Sequence, residues 1–376
     1  MQDIVGFIQK KMRLDSKKRV VDSFLDELHS SNVSIDETLK SAEIHFQSKE
    51  SVFYLSCISL IEQILYHPSH DKLLLNVSDL HYQDIALLNR IADSFGRFDL
   101  GYQLRCYYCL NLEKSAQKSN SKQKDKVLYH LHQQLYGKDL FQSYDKEVTI
   151  EVPFYLKRFH NRIMAQCDPK TKQSKIDQDF YIKVHNKTVA LLAPGILHFD
   201  DQLIQELKEF DEIIPLTYTT KHYKDFPLPI NISYYNRFNS QRLLSVRQFN
   251  EGIDLEIYCL KDLVTNQPNY REIRRNSYKW TMGSPNMVQV ALYDLLCQEP
   301  KRIKVFGMDF FLSNQAYHYE YSSNLSVDPL AKHNIVSNFL YVQSLYHSGA
   351  VDLDGQAQTL VHKGINSYVT EMTKKF

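Results

Sequence analysis

The spacing of apolar residues changes near residue 180, and this change constrains the fold more than any other feature of the chain. Before about residue 165, apolar residues recur every three or four positions, which is the period of helices that bury one face. After about residue 180, short apolar runs alternate with helical segments, a pattern typical of buried parallel strands joined by crossover helices. The chain therefore predicts an all-helical domain over 1–170 and an α/β domain over 180–376.

Six segments of the first domain share the helical period and are joined by short polar turns. They are 20–28, 35–46, 52–65, 82–94, 100–112 and 124–135. The fourth and fifth, hinged at Phe95-Gly96-Arg97, resemble a helical hairpin of the tetratricopeptide kind, although no regular repeat of roughly 34 residues runs through the domain. Such helical-repeat arrays usually present a binding surface or a contact between copies in a homo-oligomer rather than a catalytic site.

Five short apolar runs of the second domain are predicted to be strands. They are 187–193, 212–216, 231–235, 255–260 and 301–306. Helices alternate with several of them, including one over 200–210 whose first turn is formed by Asp200 and Asp201, where carboxylates favour the helix dipole. The predicted fold class is α/β, a doubly wound, mostly parallel Rossmann-like sheet preceded by the all-helical domain.

Composition excludes several function classes. With 45 Lys and Arg against 44 Asp and Glu, the net charge of +1 gives no electrostatic argument for a nucleic-acid partner. The six cysteines are dispersed, and the lone pair Cys106 and Cys109 has no second pair to complete a zinc site, so we infer no metal. No run of about 18 apolar residues occurs, which predicts a cytoplasmic protein, with peripheral attachment to the inner face of the inner membrane as the open alternative.

The stretch 279–317 joins a helix, a strand and a cluster of polar residues. Ser284 is predicted to cap the helix, and the strand that follows is broken at Gly307. Open α/β sheets bind ligands beyond the carboxyl ends of their strands. One pocket is therefore predicted to contain Thr281, Gly283, Ser284, Asp309 and Tyr317. The alternative is that Ser284 is only a cap and Asp309 only a turn residue.

The order of these motifs resembles the bacterial sialyltransferases of glycosyltransferase family 42. That family carries a Thr-Ser-Gly segment, a helix, a strand, a Gly-Ile-Asp-Phe-Tyr motif and a further tyrosine eight residues after the aspartate. This chain has Thr281-Met-Gly-Ser284, a helix, a strand, Gly307-Met-Asp-Phe-Phe311 and Tyr317 in the same order. The resemblance covers roughly residues 185–376 and leaves the helical domain outside it.

The resemblance implies an inverting, metal-independent glycosyltransferase without a cofactor. Its donor would be a CMP-activated sialic acid or a related nonulosonic or ulosonic acid, and its acceptor a hydroxyl of a lipooligosaccharide or capsule glycan. By position, His333 corresponds to the catalytic base and Tyr317 to a tyrosine that stabilises the leaving phosphate. Gly195 falls in the phosphate-binding turn, and Asn236, at the end of Tyr234-Tyr235-Asn236, corresponds to an asparagine that contacts the nucleotide.

Two other functions remain open from the sequence. An inactive scaffold in glycan assembly would explain why the turn at 193–197 keeps one glycine and why Phe311 replaces a tyrosine of the family. A metal-dependent transferase could use Asp352 and Asp354 as a DxD pair. Because this pair lies near the end of the sequence, after the last mapped helix, a turn with solvated aspartates is the favoured interpretation.

Overall fold

The structure is a computed structural model of the chain, and it describes residues 16–28, 34–46, 52–117, 174–196, 198–245, 252–261, 267–273, 286–312, 330 and 333–376. The chain divides into two compact units. The helical unit comprises Met1–Gln134, Ser326–Val336 and Asn366–Phe376, and the sheet unit comprises Leu135–Leu325 and Ser337–Ile365. The predicted domains were each continuous, whereas both units of the structure are assembled from separate stretches of the chain.

Five helices of the helical unit follow the predicted apolar period. They are α1 (16–28), α2 (Ile35–Phe46), α3 (Val52–Tyr66), α4 (Tyr82–Ser94) and α5 (Phe98–Gln117). Their apolar faces form a core in which Phe24, Phe46 and Phe53 are fully buried. The predicted helices at 35–46 and 82–94 are confirmed to the residue, and the one predicted at 124–135 lies outside the described residues.

Helices α4 and α5 form the predicted hairpin, and a segment from much later in the chain completes it. Gly96 adopts a left-handed φ of 75° at the hinge. A Cβ added there would lie 3.0 Å from Cβ of Phe376, whose ring meets that of Phe98 edge-on at 6.1 Å. The Asp99 N–H donates to Oγ1 of Thr373 over 2.9 Å. Residues 366–376 are therefore an integral part of the helical unit.

The described part of the sheet unit contains seven strands, and every pairing between them is parallel. They are β1 (Thr188–Leu192), β2 (Glu212–Pro215), β3 (Ile232–Tyr235), β4 (Ile257–Lys261), β5 (Tyr270–Ile273), β6 (Arg302–Phe306) and β7 (Asp352–Leu353). Strands β2-β1-β6-β7 form one sheet and β3-β4-β5 a second, and a parallel bridge from Leu216 to Tyr234 joins β2 to β3. The order reverses between β1 and β6, which is the topological switch point of a doubly wound sheet.

Six helices accompany these strands in the part of the chain that the structure describes. They are α6 (Lys175–Val184), α7 (Asp201–Leu207), α8 (Arg237–Ser245), α9 (Met287–Leu296), α10 (Ile335–His347) and α11 (Gly355–Lys375). The α/β fold with N-terminal helices is thus confirmed. None of the described helices combines the length and apolar character needed to cross a membrane.

The predicted strands are confirmed to within two residues, and the corrections concern short or charged segments. Strands β5 and β7 were not predicted, because β5 carries Arg271 in its centre and β7 has only two residues. The cap of α9 is Asn286 rather than Ser284, since Oδ1 of Asn286 accepts from the Gln289 N–H over 3.0 Å. Asp200 caps α7 by accepting from the Leu203 N–H over 2.8 Å, as its predicted position in the first helical turn implies.

A buried ion cluster ties the second sheet to two helices. The guanidinium of Arg271 on β5 donates Nη2 to Oδ1 of Asp294 on α9 and Nε to Oδ1 of Asp177 on α6, both over 2.9 Å. The Tyr234 hydroxyl on β3 donates to Oδ2 of Asp294 over 2.7 Å. The Phe180 ring covers the guanidinium at 4.1 Å. Opposite charges, a hydroxyl and an aromatic face therefore compensate the burial of this arginine.

Candidate functional site

A pocket opens at the carboxyl edge of the sheet, where β1 and β6 lie side by side. Its volume is about 410 Å3, including the open mouth. The turns after β1, β2 and β6 and the first turn of α9 line it with Ala193, Pro194, Gly195, Leu216, Asn286, Met287, Val288, Gly307, Met308, Asp309, Phe310 and Phe311. The lining is mostly apolar with few polar groups, which is the usual character of a small-molecule site.

Two glycines allow the β1 and β6 turns to meet at this pocket. A Cβ on Gly195 would lie 2.3 Å from the carbonyl oxygen of Gly307. A Cβ on Gly307 would lie 2.2 Å from Cγ1 of Ile196, and its φ of 67° is left-handed. Any side chain at either position would push the turns apart. The glycine that the sequence analysis assigned to the ligand-binding turn, Gly195, therefore also has a packing role.

The backbone after β6 is strained. Phe310 and Phe311 have φ values of 51° and 68°, in a region that bulky residues rarely occupy. The Asp309 carboxylate holds this turn, because Oδ1 accepts from the Phe311 N–H over 2.9 Å. The Phe310 ring packs on Phe339 with the centroids 4.9 Å apart. Asp309 is thus both a turn residue and a buried residue of the pocket lining, and strain of this kind is concentrated at functional sites.

The first turn of α9 lies at the pocket. The first N–H groups of any helix have no intrahelical acceptor, and the helix dipole makes this end attractive to anions. Asn286 fixes the end of the helix by capping it, and its own N–H donates to Oδ1 of Asn338 over 3.0 Å. Met287 and Val288, the first two helical residues, line the pocket. This arrangement can bind a phosphate without a cationic side chain.

The structure brings some of the predicted site residues together and leaves others apart. Gly195 and Asp309 both line the pocket. Asn236 follows β3 at the same edge of the sheet but is not part of the lining; its Oδ1 caps α8 by accepting from the Asn239 N–H over 2.8 Å. His333 lies half-buried in the helical unit, next to Asn334, which accepts from Nη1 of Arg105 at 3.4 Å. Outside the described residues lie Thr281, Gly283, Ser284 and Tyr317.

The prediction of a solvated turn at Asp352 and Asp354 is wrong. Asp352 belongs to β7 and pairs with Nε of Arg302 over 2.7 Å. Asp354 is half-buried and accepts the N–H groups of Gly307 and Ala357. The carboxylates therefore have separate structural partners. No group of three or more His, Cys, Asp or Glu within the described ranges is arranged to hold a metal ion.

Sequence reasoning missed His222, which lies beside the β1 turn. Burial lowers its pKa and the neighbouring His198 adds to this, while a hydrogen bond to the backbone of Ile196 opposes the shift. Its ring also packs against Phe199, with centroids 5.4 Å apart. The signal that could have indicated it is its place in the connection after β2, at the carboxyl edge of a predicted strand.

Comparison with known proteins identifies no relative. No protein-family model matches the chain, and neither a curated protein nor a solved structure matches it. The assignment of a function therefore depends on the geometry of the pocket and on the motifs of the sequence.

Proposed function

We propose that the protein is a glycosyltransferase that binds a CMP-activated sialic acid, or a related nonulosonic or ulosonic acid, and transfers the sugar to a glycan hydroxyl. The observation that carries the proposal is the position of the pocket at the switch point between β1 and β6. Nucleotides bind at this point in doubly wound sheets. The lining includes Gly195, which the resemblance to glycosyltransferase family 42 places in the phosphate-binding turn, and Asp309, which its position after a strand predicts in a ligand pocket.

The phosphate of the donor would lie against the first turn of α9. Its negative charge would be stabilised by the backbone N–H groups of Met287 and Val288 and by the helix dipole. By resemblance, the Tyr317 hydroxyl would add a neutral hydrogen-bond donor as the phosphate leaves, and Ser284 is predicted to belong to the same binding site. Such donors need no metal, in keeping with the metal-independent chemistry that the resemblance implies. The Asp309 carboxylate is of a type that accepts hydrogen bonds from sugar hydroxyls.

The acceptor hydroxyl would lose its proton to His333, a role that comes from the resemblance alone. Imidazole changes its charge near neutral pH, so it can accept a proton during transfer and release it afterwards. The acceptor that the resemblance implies is a hydroxyl of a lipooligosaccharide or capsule glycan, and peripheral attachment to the inner membrane is proposed with it.

A second function, an inactive scaffold for glycan assembly, is favoured by one specific observation. Phe311 lines the pocket at the position where the family has a tyrosine, and it has no hydroxyl to donate. The DxD alternative receives no such support, because Asp352 pairs with Arg302 and Asp354 accepts two backbone N–H groups.

Donor binding is tested first by thermal unfolding with nucleotides. We expect CMP to raise the melting temperature and UDP, with or without Mn²⁺, to leave it unchanged, because a ligand stabilises only the state that binds it. Val288→Asp should abolish the CMP effect by placing a negative charge beside the phosphate, while the helix itself tolerates an acidic first turn. Gln202→Asp controls for the acidic first turn alone, since Gln202 is the second residue of α7 as Val288 is of α9. Because Val288 is buried and Gln202 is exposed, each shift by CMP is compared with the melting temperature of the same variant without ligand. Stabilisation by UDP with Mn²⁺ but not by CMP contradicts the proposal.

Turnover distinguishes the enzyme from the scaffold. The wild-type protein should hydrolyse CMP-sialic acid or transfer its sugar to an acceptor. His333→Ala should lower kcat by about 10²–10⁴-fold and leave the affinity for CMP unchanged. CMP binding without any turnover, over a range of glycan acceptors, would favour the scaffold. A His333→Ala enzyme with wild-type turnover would exclude this residue as the base.

A further inference from the structure

Asp354 connects the pocket to the rest of the sheet unit. Strand β7 pairs with β6 through Val305 and Leu353, and the Asp354 N–H extends this ladder by donating to the Val305 carbonyl over 3.1 Å. One carboxylate oxygen, Oδ2, accepts from the Gly307 N–H. The other, Oδ1, accepts from the Ala357 N–H over 3.2 Å and so caps α11. A single side chain thus joins the turn after β6 to the start of a helix.

Gly307 is a sensitive point of the pocket. Its N–H is held by Asp354, and its carbonyl oxygen, in the next peptide group, lies where a Cβ on Gly195 would approach to 2.3 Å, so the β1 turn has little room to follow if Gly307 moves. The residues directly after it line the pocket and include Phe310 and Phe311 with left-handed φ values. A strained backbone persists only where its surroundings hold it in place. The contact at Gly307 is therefore suited to fix the geometry of the whole turn.

A carboxylate is suited to this position because it offers an acceptor oxygen to each of two N–H groups. Hydrogen bonds to an ionised acceptor are roughly twice as strong as neutral ones. Burial raises the pKa of Asp354 and Glu206 adds to the rise, whereas the two backbone N–H groups and Lys304 oppose it. Lys304 and Glu206 form an ion pair with each other. A serine or an amide at position 354 would supply only one acceptor oxygen.

We propose that Asp354 is a positioning residue of the pocket, whose carboxylate holds the Gly307 turn in the geometry that binds the nucleotide. That the ligand is a nucleotide rests on the proposed function. The contact by which Asp354 fixes the Gly307 turn does not depend on it. Asp354 takes no part in the chemistry. Its effect reaches the ligand through Gly307 and the residues that follow.

The test separates the two contacts of the carboxylate. Asp354→Ser keeps a good helix cap for α11 but is too short to reach Gly307 as well. In the unliganded protein, we expect amide hydrogen exchange over 305–312 to accelerate about tenfold, while exchange in α11 stays unchanged. The melting temperature should fall by a few degrees, because the Gly307 N–H loses its acceptor. The dissociation constant for CMP, measured by calorimetry, should rise about tenfold, the worth of one hydrogen bond to a charged group. Asp352→Asn, which alters the neighbouring carboxylate and its surface ion pair, is the control and should change neither quantity.

The outcomes are distinct for the two proposals. The inference about Asp354 is overturned if Asp354→Ser and Asp352→Asn have the same exchange rates over 305–312 and the same affinity for CMP. If the wild-type protein does not bind CMP, the proposed function fails, and hydrogen exchange alone then decides whether Asp354 holds the turn. If Asp354→Ser does not fold, Asp354→Asn replaces it, because asparagine can cap α11 through its oxygen while its amide nitrogen cannot accept from Gly307.

Discussion

The two units bury carboxylates in opposite ways. In the sheet unit, Asp294 and Asp177 share Arg271, and the Tyr234 hydroxyl also donates to Asp294. In the helical unit, Asp93 is 3% exposed, and its Oδ1 has no hydrogen-bond partner among the described residues. The sheet unit therefore compensates the cost of burying charge, whereas the helical unit leaves part of it uncompensated. We expect the stability of the sheet unit to depend on the partners of its buried carboxylates. The stability of the helical unit should depend on pH.

The largest effect is expected from removing the shared arginine. Arg271→Met keeps the volume of the side chain but leaves Asp294 and Asp177 buried without their counter-charge, which should lower the free energy of unfolding by about 3–5 kcal/mol. Urea unfolding followed by circular dichroism measures this loss. Arg302→Met is the control, because the pair of Arg302 with Asp352 is half-exposed and worth about 0–1 kcal/mol. Equal losses in the two variants would remove the distinction between compensated and exposed charges.

A smaller effect is expected from the pH dependence of the helical unit. Burial raises the pKa of Asp93 well above its usual range, although Arg105 and Asn89 act against the shift. The unfolded chain releases this proton near pH 3.9, the ordinary value for aspartate, while the native unit retains it to higher pH. The free energy of unfolding should therefore fall as pH rises between these two values, by at most about 1.4 kcal/mol per pH unit. Asp93→Asn should remove this slope.

Amide hydrogen exchange in peptides of α4 and α5, measured from pH 5 to 8 and corrected for intrinsic rates, reports on this unit. Asp177→Asn provides the contrast. Burial raises the pKa of Asp177, but Arg271 and Ser174 lower it by more than burial raises it. The net pKa is therefore below the usual range. Its stabilising effect is complete above the ordinary aspartate pKa and is lost only as pH falls through the lowered value. A slope that persists in Asp93→Asn would show that another group of the helical unit titrates.

The smallest effect concerns two similar helix caps. Ser174 and Asp177 form a reciprocal capping box at α6, and Ser34 and Glu37 form the same arrangement at α2. Asp177 also accepts from Arg271, whereas the box at α2 is exposed. Ser174→Ala should cost about 1–2 kcal/mol and Ser34→Ala less, as measured by the midpoint of urea unfolding. Equal urea midpoints for Ser174→Ala and Ser34→Ala would mean that the contact of Asp177 with Arg271 adds nothing to the cap at α6.

Apolar patterning was sufficient to predict the fold class and the strands β1 to β4 and β6. Most of them have a short, largely apolar run, and in β6 Ile303 and Val305 alternate with Arg302 and Lys304 before Phe306. The period could not predict β5, where a buried arginine interrupts the run, since its compensation by Asp294 and Asp177 depends on residues distant in sequence. The two-residue strand β7 is too short to have a period. In the site, Gly195 and Asp309 were predicted at the ends of strands, and both line the pocket.

Other parts of the site depend on pairing that no local pattern encodes. Asp354 contacts Gly307 only because β7 lies beside β6, although the two residues are 47 positions apart. Asn286 is the cap of α9 in place of Ser284, and its own N–H is held by Asn338 from α10. Local capping rules allowed either Ser284 or Asn286. In the structure the cap is Asn286, which also has the tertiary contact with Asn338. His333 was assigned by resemblance, and its role stays a prediction.

Residues 366–376 have a consequence for synthesis on the ribosome. Helices α1–α5 emerge before the sheet unit, but the segment that packs on their hairpin, with Thr373 and Phe376, emerges after it. The surface around Gly96 and Phe98 therefore stays uncovered until the sheet unit and residues 366–376 have been translated. The part of the chain that is made first therefore obtains some of its native contacts only from the part that is made last.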